Sequence, residues 1–363
     1  MKIWVTGIAG LIGSTMAEYA FSRGHKVYGV DDDHRGRWFG KAGSVEWRIN
    51  ELVKMGVSVS REDFRHRLGS VAGMDLIVHC ASQPSHDFSR SHVLQDSAIN
   101  YMGTVDLLEA YRTLAPKAVF AFLSTNKVYG DRVNRENFRE EGERLVPTGG
   151  AQQGFDPRMG ISEDYAIDGS LHTPFGVSKT AADLMVQEYR RCFGLKAVTF
   201  RCGCLTGKAG SAIELQGFLG YLVKCAVEGR EYRIYGHGGY QVRDNIAAED
   251  VASAILAYAD NPKDGVYNLG GGPDNSISVL EAIRILKTDY NLQFPVTVGP
   301  ERVGDHKWWI TSTRKFERDY PDWKRKPLRS VIDEMVRSEC RRRKHETGDS
   351  TLSPGPLEET RIQ

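Results

Sequence analysis

The stretch Thr6-Gly7-Ile8-Ala9-Gly10-Leu11-Ile12-Gly13 constrains this chain more than any other. Before it, Lys2-Ile3-Trp4-Val5 is a short apolar run suited to a buried strand. After it, Ile12, Met16 and Ala20 recur at helical spacing, with Ala17 and Phe21 beside them. The glycines therefore sit where a strand turns sharply into a helix. Unpaired N–H groups of the first helical turn then aim outward and suit a phosphate anion. Gly7 permits the turn, Gly10 removes a side chain where a pyrophosphate approaches, and Gly13 lets helix and strand pack closely. Leu11 and Ile12 share that first turn and belong to the same expected site.

A second apolar run, His25-Lys26-Val27-Tyr28-Gly29-Val30, ends in Asp31-Asp32-Asp33. Asp31 lies near the roughly 20-residue offset past Gly13 at which an acid meets the adenosine ribose hydroxyls. Strand, glycine turn, helix, strand and acid in this order predict a dinucleotide site. Carboxylates at Asp31 and Asp32 repel a 2′-phosphate, which favours NAD over NADP; Arg35 and Arg37 argue the other way but are outweighed by three consecutive acids.

At 363 residues, with 40% hydrophobic and 26% charged residues, the chain has the composition of a soluble globular protein. A net charge of +1 gives no reason to expect a nucleic-acid partner. No apolar run approaches a transmembrane length, so no membrane partner is expected. The six cysteines follow no metal or disulfide spacing, which predicts no metal site and a reducing, cytoplasmic setting.

Further along, Met74-Asp75-Leu76-Ile77-Val78-His79 reads as a buried strand ending in Cys80-Ala81-Ser82-Gln83-Pro84, where the small Ala81 and Ser82 let backbone pass close to a cofactor. Asp63 reads either as a cofactor contact at the adenine or as a surface acid. An amphipathic helix is expected from about residue 92 to 114, with Asn100 out of place unless it hydrogen-bonds something. The apolar strand 117–123 delivers Ser124-Thr125-Asn126 at its carboxyl end, where open parallel sheets hold ligands. Residues 131–172 show no periodicity and read as a long functional loop. Thr173-Pro174 opens a helix running to Gly194, and the strand Ala197–Arg201 is expected to close the sheet. Alternating strands and helices predict an α/β, doubly wound parallel sheet. Residues 1–206 and 240–265 are assigned to the dinucleotide-binding domain, 207–239 and 266–335 to a smaller C-terminal substrate lobe, and 336–363 to a disordered tail.

Taken together, Thr6–Gly13, Asp31, Thr125 and the Phe175-x-x-x-Lys179 helix resemble the extended short-chain dehydrogenase/reductase superfamily of nucleotide-sugar enzymes, whose fold is Rossmann-type. Ser124-Thr125-Asn126-Lys127-Val128-Tyr129-Gly130, His172-Thr173-Pro174-Phe175-Gly176, Gln216-Gly217-Phe218 and Gln241-Val242-Arg243-Asp244 are more narrowly similar to the CDP-tyvelose (CDP-paratose) 2-epimerases. The resemblance implies a tightly held NAD, a nucleotide-diphosphate sugar substrate, and hydride removed from a sugar carbon and returned to its opposite face. It implies a homodimer through the helices around 92–112 and 174–193. Lys179 and Thr125 match the family's lysine and hydroxyl positions; Asn100 and Cys202 fall near the cofactor. Asn126, Cys204, Gln216, Arg243 and Arg302 fall along the substrate, the arginines on its diphosphate.

The family's proton-carrying tyrosine is here Phe175, whose ring can neither accept nor donate a proton. Positioned acid–base catalysis contributes about 10²–10⁴-fold, so the departure matters. Three readings stay open: a deliberate Tyr→Phe exchange, a different base, or binding without turnover. His172, Tyr165, Tyr129, Cys202 and Cys204 are the substitute bases that sequence can name. Relatives also usually carry histidine where this chain has Ala247. A 4-epimerase or dehydratase on the same scaffold is the nearest enzymatic alternative.

Overall fold

In the computed structural model, which describes residues 1–210, 212–214 and 216–347, seven parallel strands form one central sheet. They are β1 (Lys2–Thr6), β2 (Lys26–Val30), β3 (Ser58–Ser60), β4 (Leu76–His79), β5 (Val119–Thr125), β6 (Lys196–Cys202) and β7 (Val266–Leu269). Their order across the sheet is β7-β6-β5-β4-β1-β2-β3. The apolar runs of β1, β4 and β5 are buried on both faces, as a sheet covered by helices on each side requires.

On one face, α1 (Leu11–Phe21) packs beside α5 (Ala248–Asp260) through Met16, Ala17, Ile255 and Tyr258. On the other, α2 (Gly103–Leu114) and α3 (Thr173–Phe193) bury Leu107, Tyr111, Ala182 and Val186. The helix expected over 92–114 is present as Val93–Ser97, a π-helical turn Ala98–Met102, and α2. A second apolar cluster joins α4 (Phe218–Glu228), α6 (Val279–Thr288) and α7 (Leu328–Thr347) around Leu222, Ile283 and Ile332. Val242–Ala247 is the spine of a small mixed sheet beside it, flanked by Cys204–Thr206 and Ser276–Ser278 and paired with Trp308–Trp309.

Three expectations are corrected. The strand at 197–201 does not close the sheet: β7 pairs outside it, so residues 266–269 belong with the parallel strands. Only four residues long, Val266-Tyr267-Asn268-Leu269 carries too little periodicity to announce itself. The stretch 131–172 is not one loop but holds two small antiparallel pairs, Phe138–Glu141 with Arg144–Pro147 and Phe155–Asp156 with Gly160–Ile161. The apolar pattern does not end the fold at 336. Helix α7 continues to Thr347, with Val336 and Cys340 buried. The remaining tail residues, 348–363, lie outside the described residues. No helix among the described residues is long and apolar enough to cross a membrane.

Candidate active site

The chain reverses its winding between β1 and β4, the switch point at which a doubly wound sheet opens a crevice at its carboxyl edge. A cavity of about 330 Å³ occupies it. Gly7, Gly10, Leu11, Ile12 and Gly13 line it from the turn after β1, and Asp31, Asp32 and Asp63 from the β2–β3 edge. Ala81 and Ser82 follow β4, Thr125 ends β5, Cys202 ends β6, and Phe175 and Lys179 reach in from α3.

The glycine turn is built as its spacing demands. Gly7 has φ +64°, and a Cβ there would lie 2.7 Å from Ala81 N. A Cβ on Gly13 would approach Gly7 O to 2.2 Å, which only glycine avoids. Gly10 precedes α1 without any side-chain cap, so the first-turn amides open to the cavity. Asp31 accepts from Ala9 N–H (3.0 Å) and Asp33 N–H (3.0 Å), which fixes its carboxylate at the end of β2. Burial pushes that carboxyl up to about 6 in spite of the two bonds. Neither nearby arginine forms a 2′-phosphate cradle: Arg37 pairs with Asp32 (2.6 Å), and Arg35 turns to Gln216 Oε1 (2.6 Å). Asp63 is engaged by Arg65 (2.5 Å) at the cavity rim.

Asn100 is the exception among the residues assigned to the cofactor. It is fully buried behind the wall, accepting from Gln83 N–H and donating to Gln83 O, Asp96 and Ser178. It anchors the turn after β4 rather than facing the cavity.

A second cavity, of about 430 Å³, adjoins the first and shares Gly10, Leu11, Pro84 and Gly203 with it. Whereas Thr125 lines the first cavity, the residues expected along the substrate, Asn126, Cys204, Gln216, Arg243 and Arg302, line the second. Its cationic floor was only half legible in the sequence. Arg243 pairs with Asp305 (2.7 Å) and Arg302 with Asp87 (2.7 Å), while Lys127 donates to Gly304 O (2.9 Å). Burial lowers Lys127 to about 8. Burial opposes the charge on Asp305, yet Arg243, Lys127 and Arg302 hold its carboxyl far below the usual range. Sequence reasoning passed over Asp305, and also over Lys127 and His86 as cavity residues, because nothing periodic marks a loop acid that meets its partners only in three dimensions.

Thr125 and Lys179 both line the switch-point cavity. Lys179 is one helical turn beyond Phe175 on the same face of α3. Its Nζ donates to Leu123 O (2.7 Å) and lies 4.2 Å from the centre of the Phe122 ring. Burial brings its ammonium down to about 8. Behind it, Asp183 takes both Arg201 (2.9 and 3.1 Å) and Ser124 Oγ (2.7 Å), locking α3 to β6 and β5.

None of the substitute bases named from sequence is available. His172 turns both ring nitrogens towards backbone carbonyl oxygens, Ser170 O and Val128 O, each at 2.9 Å, and lines neither cavity. Tyr129 OH is spent between Asn268 and Arg201, and Tyr165 packs in a buried aromatic cluster with Tyr129. Burial pushes the thiols of Cys202 and Cys204 up to about 12, which keeps both protonated.

A Rossmann-type sheet with a glycine-turn cavity at its switch point defines the class of dinucleotide-binding proteins. Residues 3–270 match the model of the NAD dependent epimerase/dehydratase family. CDP-paratose 2-epimerase of Salmonella typhi is 30% identical over 89% of this chain and 94% of its own length. A dTDP-glucose 4,6-dehydratase of Shigella flexneri is 26% identical over 89% and 88%. Among solved structures, UDP-glucose 4-epimerase of Thermus thermophilus in complex with NAD superposes with a TM-score of 0.69 at 25% identity, covering 92% of this chain and 99% of that one. The chain belongs to the NAD-dependent epimerase/dehydratase family, whose members are enzymes, and its cofactor is NAD.

Proposed function

We propose that this chain is a nucleotide-sugar epimerase of the CDP-paratose 2-epimerase kind, working by transient oxidation of one sugar carbon. The observation that supports this reading is that Thr125 and Lys179 line the switch-point cavity, while the adjoining cavity, which shares Gly10, Leu11 and Gly203 with it, is lined by Arg243 and Arg302. Bound NAD supplies a reversible hydride acceptor there. Thr125 orients the sugar hydroxyl, Lys179 lends positive charge beneath it, and the arginines exchange their acidic partners for the diphosphate. The six free cysteines support a reducing, cytoplasmic location. Apolar side chains exposed along Val93–Ser97, α2 and α3 support a homodimer through those helices, Leu94 (88% exposed) and Val177 (59%) foremost.

Incubation with NAD and CDP- or UDP-sugars in deuterated water tests the reading. Inversion without deuterium at carbon is expected, because the same hydride returns. Deuterium incorporation, or loss of water from the sugar, would favour a dehydratase on this scaffold. Phe175 itself favours a second reading, a protein that binds NAD and a nucleotide sugar without turning it over. Tight binding with no conversion would establish that reading.

A further inference from the structure

Resting on the epimerase reading, we propose that His86 replaces the missing tyrosine as the proton carrier, its Nε2 taking the proton of the sugar hydroxyl. The His86 and Phe175 rings are in tilted contact, with centroids 4.8 Å apart. Phe175 lines the cofactor cavity and His86 the neighbouring one, so the imidazole stands across the seam beside the ring that lacks its hydroxyl.

The arrangement is tied down from several sides. His86 Nδ1 lies 3.3 Å from Thr173 Oγ1 at the start of α3. Ser89 Oγ donates to His86 O (2.7 Å) and accepts from Phe175 N–H (3.1 Å), joining the two residues through one hydroxyl. The turn leading to His86 is pinned by Gln83, which donates to Asp96 (2.7 Å) and Ser85 O (2.9 Å) and is itself held by Asn100. The buried asparagine therefore has a positioning purpose. In the tautomer that donates Nδ1–H to Thr173 Oγ1, the Nε2 lone pair, which takes no hydrogen bond among the described residues, is left to the cavity that His86 lines. The same Nδ1 bond persists when Nε2 is protonated, so the ring need not turn during the cycle.

The groups facing His86 set its charge. Burial holds its pKa well below 6.5, Lys127 and Arg302 push it the same way, and Asp305 opposes them. On its own helix, Asp87 pairs with Arg302. In the free protein the imidazole is neutral, the form a base requires. A diphosphate on Arg243 and Arg302 neutralises part of that positive field and raises the His86 pKa towards working pH. In the forward step the carbinol C–H and O–H bonds break and C=O forms. The electron pair leaves with the hydrogen to the oxidised dinucleotide, and the proton goes to Nε2. Both return in the reverse step, to the opposite face of the carbon and to its oxygen.

The test combines His86→Gln, Phe175→Tyr and the double variant, assayed with NAD and CDP-sugars. His86→Gln should lower kcat by about 10²–10⁴-fold while calorimetric affinity for the CDP-sugar stays within about threefold. Adding Phe175→Tyr should recover most of the loss, which a merely misfolded variant could not do. Independently of turnover, ¹⁵N resonances of His86 should titrate at higher pH with CDP-sugar bound than without. An unchanged kcat in His86→Gln, or resonances indifferent to CDP-sugar, overturns the inference and leaves the epimerase reading intact. Wild-type protein that binds both ligands without conversion overturns the inference in favour of a silent binder. Protein that binds neither ligand overturns both.

Discussion

Asp31 shows how one side chain can couple cofactor uptake to pH. Its folded-state pKa, near 6, lies above the ordinary carboxylate value because burial penalises the charge. The sign follows: in the free protein its stabilising contribution belongs to the protonated form, present below the unfolded pKa and lost as pH rises through about 6. In the proposed NAD site, ribose hydroxyls donate to this carboxylate and favour the opposite form. NAD affinity should therefore fall below about pH 6, approaching about tenfold per unit, and uptake there should release a proton. Calorimetry in buffers of differing ionisation heat measures both. Asp31→Asn should bind more weakly with no such slope, and an unaltered slope would remove Asp31 from the ribose. Lys179 carries the second residue-scale prediction. With its ammonium at about 8, Lys179→Met should reduce turnover by at least about 10² and leave CDP-sugar binding in place.

At the scale of elements, the site depends on α3 keeping its rotation against the sheet. Asp183 and Arg201 are both buried and meet through two hydrogen bonds, and Arg201 also reaches Tyr129 OH. Removing one partner of such a pair strands the other charge and costs about 3–5 kcal/mol. Arg201→Met should lose stability of that order in urea unfolding, since Asp183 stays buried without its cation. A loss below about 1 kcal/mol would mean that packing alone holds α3. The glycine turn is stricter still. In Gly13→Ala the new methyl has only the Gly7 backbone before it, so α1 must move off β1. Overpacking of this kind costs about 1–3 kcal/mol, and NAD uptake should be lost with it.

For the molecule as a whole, two joined cavities demand that the parallel sheet and the smaller sheet keep one relation. Arg35 contributes by bonding both Gly43 O (3.2 Å) and Gln216 Oε1 (2.6 Å) across the mouth. The proposed pairing of copies belongs to this scale too. Leu94→Arg combined with Val177→Arg places two charges on the exposed apolar face and should yield monomers by analytical ultracentrifugation, with the fold unchanged by circular dichroism. Dimers that persist would move the interface elsewhere.

Local rules made the glycine turn, the acid after β2 and most helices and long strands legible in the sequence, because each is a contiguous pattern of period and propensity. The residues expected along the substrate, Asn126, Cys204, Gln216, Arg243 and Arg302, came instead from the family resemblance, and the structure lines the second cavity with them. Short β7 and the small pairs within 131–172 lacked enough residues to show a period. Asn100 carried a polar signal without a direction, and only packing turned it towards Gln83 instead of the cavity. His86 and Asp305 could not be ranked at all from sequence. They face Phe175 and Arg243 across the fold, and a linear pattern holds no term for contacts between segments so far apart.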